Sequence, residues 1–552
     1  MAPPAKLTFL GGVGEVGRNC TAIEVDGKIL VIDYGLMFPD ATMPGVDVIL
    51  PDNRYLLERA DSIVGLVVTH AHEDHVGGVT HFLRDFSAPI YGSAFTMALA
   101  QAKIDEQRLD ARVNPVADGN SVNIGPFRVE FLAVTHSVPL SNIIVVHTPQ
   151  GPLVHTGDFK LDNTPVDNRL TDLGRIGELS RNPGIRVLMA DSTNADNPGH
   201  SESESQIGET FRRLFPELRG RRIITSCFAS HLHRVQQIVD VAIDEGRTVF
   251  AAGRSMVRNV AIARELGLLD IPERSLASLE QIDQYSPGDI CVICTGSQGE
   301  PFAALALLAQ GSHRDLSIAE DDAVILSSHP IPGNQRSVFA VINSLVRRGA
   351  EVIHSAQDLV HTTGHAQRDE LRILHNIARP EYFIPIEGEY RMLRRHADLA
   401  IDLGLDEDHA LIAVGGTQVV VDDGGAYIVD QLPHEYQYVH GTGLPLDQEV
   451  LSQRRAIAAA GIVMIVAAVD LENRSVASEP TLVSRGWASE IELDDLTPRL
   501  EETVAKALEN GLNESKPTVA DLERRMRRAA GRFVGDETQR RPPISVTIQL
   551  VG

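Results

Sequence analysis

The segment from His70 to His75 contains the side chains with the most distinctive chemistry in the chain. It reads His-Ala-His-Glu-Asp-His and directly follows the apolar segment 65–69. Neutral imidazoles and carboxylates together suit Zn²⁺ or Mn²⁺ better than Ca²⁺ or Mg²⁺, which prefer oxygen ligands alone. In a loop, the first two histidines can turn toward one ion while Asp74 and His75 reach a second. The sequence therefore predicts a metal site here.

Isolated polar residues follow apolar strands later in the chain. His136 follows the predicted strand 127–134, and Asp191 follows the predicted strand 187–190. Asp158 lies just beyond the strand-rich stretch that ends at residue 156. Because α/β proteins place their chemistry at strand ends and in the loops that follow, these three residues are candidates for the same site.

Three glycines near the N-terminus resemble a nucleotide-binding motif. Gly12, Gly14 and Gly17 fit the GxGxxG pattern after an apolar strand. That pattern requires a helix next, but the sequence predicts two strands, Cys20–Val25 and 29–33, joined by a tight turn. A nucleotide site is therefore rejected, and a glycine-lined loop near the metal ligands is predicted instead.

The length of 552 residues exceeds what one hydrophobic core supports, and we expect three or four domains. The first is discontinuous and comprises residues 1–200 and 360–447. Residues 201–359 alternate helices with short apolar strands, which predicts an inserted, mainly parallel α/β domain. Residues 448–460 are predicted to be a linker, and residues 461–552 a small C-terminal α/β domain.

Composition excludes several classes of protein. No apolar run approaches the roughly 20 residues of a membrane-spanning helix. The first ten residues lack the pattern of a secretory signal, so we expect a cytoplasmic protein without a membrane partner. The net charge of −25 argues against a protein that coats nucleic acid with its whole surface, but not against a nuclease with one positive cleft. Cys291 and Cys294 lie in a predicted buried strand rather than a zinc knuckle.

The motif HxHxDH, followed in order by His136 and Asp158, resembles the metallo-β-lactamase superfamily. The resemblance implies two divalent ions, one held by three imidazoles and the other by a carboxylate and an imidazole, with a bridging carboxylate between them. In that order the implied ligands are His70, His72 and His136; Asp74 and His75; and Asp158. Two such ions can clamp an in-line displacement at phosphorus.

Three downstream segments resemble the β-CASP branch, whose members cut nucleic acids. Asp191 matches its acidic motif, and His365, within residues 361–366, matches its phosphate-facing histidine. Glu387, within residues 383–391, stands where the branch carries a histidine that completes the second metal site. As a ligand, Glu387 favours a harder ion such as Mn²⁺. The alternative is that it marks a weakened second site.

Within that branch the whole chain is similar to the bacterial ribonuclease J family. The segments that carry the likeness are 9–19, 45–51, 226–234, 253–259, 295–301 and 533–542. The resemblance implies a metallo-β-lactamase αββα sandwich with an inserted β-CASP domain and a C-terminal α/β domain. It also implies a 5′-to-3′ exonuclease on single-stranded, 5′-monophosphorylated RNA, with endonuclease activity, in RNA decay and maturation. Dimerisation helped by the C-terminal unit is a further implication.

The resemblance and the residue types together give the candidate site residues. The candidate catalytic residues are Asp74, His75, Asp158, Asp191 and His365. A pocket for the RNA 5′ end needs hydroxyls, backbone N–H groups and cations. The residues that offer them are Ser230, His231, His233, Arg254, Arg258, His361, Thr362, Thr363, Gly364 and His365.

Two other kinds of function stay open at this stage. The same fold could act on DNA, or on a small ester or thioester, although a small-molecule hydrolase needs neither the insertion nor the C-terminal unit. The chain could instead be a catalytically silent RNA-binding or scaffold protein, for which the only support is Glu387. A tetramer and partners in an RNA-degradation complex also stay open.

Overall fold

The computed structural model describes residues 2–40, 42–300, 302–330, 334–441 and 444–551, so Pro301, in one of the family-like segments, lies outside the described residues. The chain divides into two compact units. The first comprises Met1–Met37 and Ile49–Gln437, and the second comprises Phe38–Val48 and Tyr438–Gly552. Among the described residues, no helix combines the length and apolarity needed to cross a lipid bilayer.

Two large sheets form the centre of the first unit. In spatial order, the eight strands of the first sheet are Gly425–Gln431, Thr417–Asp422, Ala5–Gly11, Cys20–Val25, Lys28–Ile32, Ile63–Val67, Ile90–Gly92 and Val113–Pro115. The six strands of the second are Tyr382–Ile386, Val187–Asp191, Gly151–His155, Asn142–Thr148, Phe127–Ala133 and Ser121–Ile124. Each sheet is mixed, with antiparallel and parallel neighbours.

The two sheets share a hydrophobic core because alternate residues of each strand point to opposite faces. In Lys28–Ile32, Leu30 and Ile32 enter the core between the sheets. Ile29 and Val31 instead pack against helices on the outer face. The second sheet divides its residues in the same way between the shared core and its own outer helices. The result is a four-layer αββα sandwich, as the sequence predicts.

Helices cover both outer faces of the sandwich. Those packed on the first sheet are Arg54–Leu57, Glu73–Val76, Val79–Asp85 and Ala94–Glu106. Those packed on the second sheet are Leu173–Arg181, Arg368–Ala378 and Tyr390–Asp402. A small parallel pair, Val13–Gly14 with Gly388–Glu389, joins the N-terminal glycine segment to the chain that follows the strand Tyr382–Ile386. The glycine segment therefore forms a loop and strand, not a nucleotide-binding helix.

An inserted region with its own sheet lies, along the sequence, between the two segments that form the sandwich. Its strands, all parallel, follow the order Leu276–Ala277, Thr248–Ala252, Ile290–Cys294, Ile223–Ser226, Ala323–Leu326 and Glu351–His354. Its helices are Ser205–Glu217, Leu232–Asp244, Arg254–Glu265, Ala304–Gln310 and Gln335–Arg347. Cys291 and Cys294 are buried on opposite faces of this sheet, which confirms the buried-strand prediction and excludes a shared zinc knuckle.

The second unit has a three-stranded sheet and three helices. Ile462–Asp470 lies centrally, antiparallel to Ser475–Arg485 and parallel to Ile544–Leu550. Glu490–Leu512 and Val519–Thr538 cover one face of this sheet. Residues 448–460, predicted as a linker, form the helix Gln448–Ala460, whose end is set by Gly461 at φ 75°.

Candidate metal centre

The predicted metal-binding segment lies between the strand Ile63–Val67 and the outer helices of the first sheet. It is not a loop throughout, because residues from Glu73 to Val76 form a helical turn. The backbone N–H of Val76 donates to the carbonyl of His72 at 2.8 Å, which closes the turn. The histidines at 70 and 72 therefore precede the helix, whereas Asp74 lies on it. This turn directs His70 and His72 to one side of Asp158. It directs Asp74 and His75 to the other side.

Three imidazole nitrogens converge on the first side. His72 Nδ1 lies 3.1 Å from His70 Nε2 and 3.2 Å from His136 Nε2. Asp158 Oδ2 lies 3.5 Å from His70 Nε2 and 3.6 Å from His136 Nε2. Ligands at 2.0–2.1 Å from a tetrahedral zinc ion would be about 3.3 Å from one another. The spacing and chemistry of these four groups therefore fit a zinc-sized divalent ion.

Burial keeps two of the histidines on this side, His72 and His136, in the neutral form that can bind a metal ion. Burial, together with the neighbouring histidines, lowers the pKa of His72 and of His136 well below the ordinary value. His136 Nδ1 lies 2.7 Å from the carbonyl of Gly364, which accepts its hydrogen bond and leaves Nε2 free for a metal. A Cβ on Gly364 would lie 2.7 Å from Cε1 of His136, so a larger residue would displace this ligand.

A carboxylate-rich group lies on the other side of Asp158. His75 Nε2 is 3.2 Å from Asp158 Oδ1 and 3.8 Å from Asp74 Oδ2. The two oxygens of Asp158 thus face different histidines, as expected of a bridging ligand. Burial lowers the pKa of His75, but the charges of Asp158, Asp33 and Asp74 outweigh it and raise that pKa well above the ordinary value. The negative charge of the carboxylates around His75 favours the binding of a cation beside this ring.

Two residues that sequence reasoning missed orient His75. Asp33 Oδ2 lies 2.8 Å from His75 Nδ1, and Asp33 also accepts the backbone N–H of Thr69 at 2.8 Å. Asn19 Nδ2 lies 2.8 Å from His75 Nε2. A carboxylate behind a ligand histidine fixes the ring and its tautomer. Asp33 ends the predicted strand 29–33, so the strand-end signal that selected Asp158 could have selected it too.

The carboxyl group of Glu387 faces that of Asp158, and no N–H or O–H group of another described residue donates to it. Its backbone has φ 54°, and its N–H donates to the carbonyl of Gly12 at 2.8 Å. Both carboxylate oxygens are buried and have no hydrogen-bond partner among the described residues. Burial first, and then the charge of Asp158, raises the pKa of Glu387 well above the ordinary value. Two facing buried carboxylates are stabilised when a cation lies between them.

Asp191 and His365 form a third group at the centre. His365 Nδ1 lies 2.7 Å from Asp191 Oδ2, and its Nε2 lies 3.8 Å from Asp158 Oδ2. Burial lowers the pKa of His365, but Asp191 and Asp158 outweigh it and raise the pKa to about 9. His365 therefore brings a protonated imidazole to the carboxylate that both ligand groups share.

The segment 362–364, predicted to bind substrate, is largely engaged within the protein. The hydroxyl of Thr362 donates to the carbonyl of Glu202 at 2.8 Å. The hydroxyl of Thr363 accepts from Asn194 Nδ2 at 2.9 Å. The carbonyl of Gly364 is the partner of His136. These residues lie at the centre, but what they offer a ligand is backbone N–H groups, not free hydroxyls.

The predicted residues of the inserted region divide into a buried and an accessible set. His231 is buried 3.4 Å from Glu204, and burial lowers its pKa to about 4. Burial likewise lowers the pKa of His361 well below the ordinary value. Both rings lie near the fully buried Arg234, which donates to both carboxylate oxygens of Glu204 at 2.6 and 2.8 Å. Sequence reasoning did not identify Arg234 as a buried structural cation. Its charge is compensated by Glu204, which lies 30 residues away in the sequence.

The accessible set is more varied. His233 Nε2 lies 3.1 Å from Asp167 Oδ2. Arg258 pairs with Glu106 at 3.2 Å, so its charge is partly compensated. Arg254 is exposed at the start of its helix, and Ser230 is half-buried in the loop before the helix Leu232–Asp244. The residues of this set remain candidates for substrate contacts.

Four family models match successive parts of the chain. They are the metallo-beta-lactamase superfamily at residues 13–206, the ribonuclease J beta-CASP domain at 220–345, the Zn-dependent metallo-hydrolase RNA specificity domain at 349–411 and the ribonuclease J C-terminal domain at 449–551. The first and third of these matches contain all the residues of the metal centre described above.

Full-length relatives are also similar. Ribonuclease J of Mycolicibacterium smegmatis is 39% identical over 562 residues, covering 99% of both chains. Ribonuclease J of Mycobacterium tuberculosis H37Rv is 38% identical, covering 98% of this chain and 97% of the relative. Ribonuclease J2 of Bacillus subtilis is 34% identical, covering 99% and 98%. A solved protein of unknown function from Enterococcus faecalis V583 superimposes with a TM-score of 0.52 at 14% identity, over 76% of this chain and 100% of its own, which supports the fold alone.

Proposed function

Because this chain belongs to the ribonuclease J family, we propose that it is a metal-dependent ribonuclease that digests single-stranded, 5′-monophosphorylated RNA from the 5′ end, with endonuclease activity in addition. The observation that carries this function is Asp158, which faces three imidazoles with one oxygen and the Asp74–His75 group with the other. We also propose that the protein is a homodimer and that it acts in RNA decay and maturation in the cytoplasm.

The donor set supports two divalent ions, zinc, manganese or one of each. The first would be held by His70, His72 and His136, and the second by Asp74 and His75, with Asp158 shared. The carboxyl group of Glu387, which lies beside Asp158, would be a further ligand of the second ion. When bound, such ions supply Lewis acidity at the scissile phosphate and a water of lowered pKa. Glu387 adds an oxygen ligand to the second set, and this favours the harder manganese ion there.

The protein's own groups position the substrate and donate hydrogen bonds to it. His365 Nδ1 donates to Asp191, so its ring is fixed and Nε2 can donate to a non-bridging phosphate oxygen. In the metal-free protein, Asp191 and Asp158 raise the pKa of His365 to about 9, so the ring carries this proton at neutral pH. The backbone N–H groups of residues 363 and 364 and the exposed Arg254 are suited to the terminal phosphate and the following backbone.

The decisive experiment is digestion of a labelled, 5′-monophosphorylated single-stranded RNA with Mn²⁺ or Zn²⁺. We expect stepwise mononucleotide release by the wild type and by His200→Ala, an exposed histidine outside the centre. We expect none from His72→Ala. A parallel single-stranded DNA tests the alternative substrate. Failure to cleave RNA with any divalent ion, together with failure to retain metal, would favour a catalytically silent paralogue.

A further inference from the structure

The family-like segment 533–542 plays no part in the metal centre, yet it lines a cavity of its own. This cavity, of about 850 Å³, lies in the second unit between the last part of the helix Val519–Thr538 and the chain that leads into the strand Ile544–Leu550. Three arginines line it: Arg528, Arg532 and Arg541. We name these residues and the space between them the arginine groove.

The arginines of this groove have no acidic partner, although neighbouring arginines do. On the same helix, Arg524 pairs with Asp521 and Arg525 pairs with Glu514. Arg528, Arg532 and Arg541 form no ion pair with any described residue, and Asp536 is the one carboxylate in the lining. On a chain with a net charge of −25, three guanidinium ions around one carboxylate leave a local positive charge that suits an anion.

The floor of the groove is formed by glycines that internal packing does not require. A Cβ on Gly535 would meet no atom within 4 Å, and one on Gly531 would meet only Ile544 Cδ1 at 3.9 Å. By contrast, a Cβ on Gly511 of the neighbouring helix would lie 2.5 Å from Leu522. Glycine inside a helix costs about 0.5–1 kcal/mol relative to alanine. The two floor glycines keep the helix surface low between arginines one turn apart.

We propose that the arginine groove binds the phosphodiester backbone of single-stranded RNA at a site separate from the metal centre. Guanidinium groups bind phosphate oxygens through paired hydrogen bonds. Arg528 and Arg532, one helical turn apart, point to the same face and can contact neighbouring phosphates. The low glycine floor gives a strand access to the helix backbone. The inference rests on the proposed ribonuclease function for the identity of the polyanion, because the groove alone specifies only repeated phosphates.

The test measures binding separately from cleavage. Affinity for a 30-nucleotide single-stranded RNA is measured by fluorescence anisotropy in EDTA, over a series of salt concentrations, with the full-length protein. The double variant Arg528→Ala/Arg532→Ala should bind about tenfold more weakly, and the slope of log K against log salt should fall by about 1.4, or about 0.7 for each lost contact. Arg527→Ala, an exposed arginine of the same helix outside the groove, should match the wild type.

A second variant fills the groove without removing charge. Gly535→Leu places a side chain in open space, so the fold should persist, and it should weaken long-RNA binding as the double variant does. Cleavage of a five-nucleotide RNA should remain unchanged in both variants, so the proposed function is read independently. Long-RNA affinity equal to that of Arg527→Ala would overturn the proposal. So would a change confined to the oligomeric state in sedimentation, which would assign the groove to a protein partner.

Discussion

The metal centre and a histidine pair behind the second sheet are both clusters of buried histidines in the first unit, and they differ in what surrounds them. In the metal centre, the nitrogens of His70 and His72 lie 3.1 Å apart. Behind the second sheet, His375 Nε2 and His396 Nε2 also lie 3.1 Å apart, in the helices Arg368–Ala378 and Tyr390–Asp402. Distance between imidazoles therefore does not distinguish the two clusters.

The difference lies in the neighbouring groups. The centre places Asp158 against its histidines, whereas the second pair packs on Phe383 at 4.6 Å between ring centroids. The remaining nitrogen of His396, Nδ1, lies 3.0 Å from Ser192 Oγ. Three of the four nitrogens of the second pair thus have a partner, and no carboxylate lies beside it among the described residues, so we expect it to be structural. We call it the histidine pair.

The largest effect that would separate the clusters is expected from His136→Ala. Loss of one of three imidazoles should remove the first ion and reduce RNA cleavage by at least about 10³-fold. The variant His375→Leu replaces one ring of the histidine pair by a side chain of similar volume. Its cleavage at pH 7.5 should stay within about threefold of the wild type. Steady-state kinetics and metal analysis measure both. Equal loss of activity in the two variants would remove the distinction between the clusters.

The next largest effect is expected at Glu387, where substitutions test whether a carboxylate at this position is needed for metal binding. Glu387→Gln should raise the free energy of unfolding of the metal-free protein at neutral pH, because burial and the charge of Asp158 raise the pKa of this carboxyl and the folded state must keep it protonated. The same variant should lose most of the thermal stabilisation by Mn²⁺ and about 10²-fold in cleavage. Glu387→His should retain activity and prefer Zn²⁺.

The competing view of Glu387 makes an opposite prediction. If it marks a weakened second site, Glu387→Ala should leave both the Mn²⁺ dependence of cleavage and the melting shift unchanged. Calorimetric titration of each variant with Mn²⁺ and Zn²⁺ distinguishes the two views.

A smaller effect is expected from the carboxylate behind His75. Asp33→Asn keeps the shape but removes the charge that fixes the ring, and metal affinity should fall about 10- to 100-fold. Asp26→Asn is a matched control, since both aspartates have positive φ, 58° at Asp33 and 50° at Asp26, and asparagine tolerates that conformation. Equal metal affinity in the two variants would show that Asp33 is not required to orient the ligand.

The smallest effect on activity, and a clear effect on stability, is expected from acidification of the histidine pair. Burial lowers the pKa of His375 from 6.5 to about 4. Below pH 6.5 the unfolded chain takes up a proton that the folded chain does not, so the free energy of unfolding falls until pH 4. The loss reaches about 3 kcal/mol for this residue.

Urea unfolding at pH 7.5 and pH 5 measures this loss. His375→Leu should show a smaller decrease in the free energy of unfolding between the two values than the wild type does. An identical decrease would mean that the histidine pair is protonated in the folded protein.

The metal centre was predictable where its residues share a local pattern. HxHxDH places four candidate ligands within six residues, and His136 and Asp158 follow strands that alternate recognisably. Regular elements with strong patterns were equally accessible. The strand Cys20–Val25 has the predicted bounds, and the predicted strand 187–190 extends by one residue to Asp191. Local periodicity and strand-end position carry this information without any knowledge of tertiary contacts.

The rest depended on contacts that the sequence does not encode locally. Asp33 meets His75 from 42 residues away, and the carbonyl of Gly364 meets His136 from 228 residues away. The strand Ser475–Arg485 was not predicted, because most of its residues are exposed or half-buried and the apolar alternation is weak. The turn at Glu73 was expected as loop because four residues are too few for a helical period to appear.

The hydrogen bond between Glu387 and Gly12 sets an order of events during synthesis. A ribosome releases the N-terminal glycines, the imidazoles and Asp158 long before residue 387, yet Glu387 N–H must reach the carbonyl of Gly12, 2.8 Å away in the finished fold. A growing chain therefore contains an incomplete centre until that residue has emerged. If Glu387 holds the second ion as proposed, the messenger that encodes the protein is translated for most of its length before the nascent chain can complete that site.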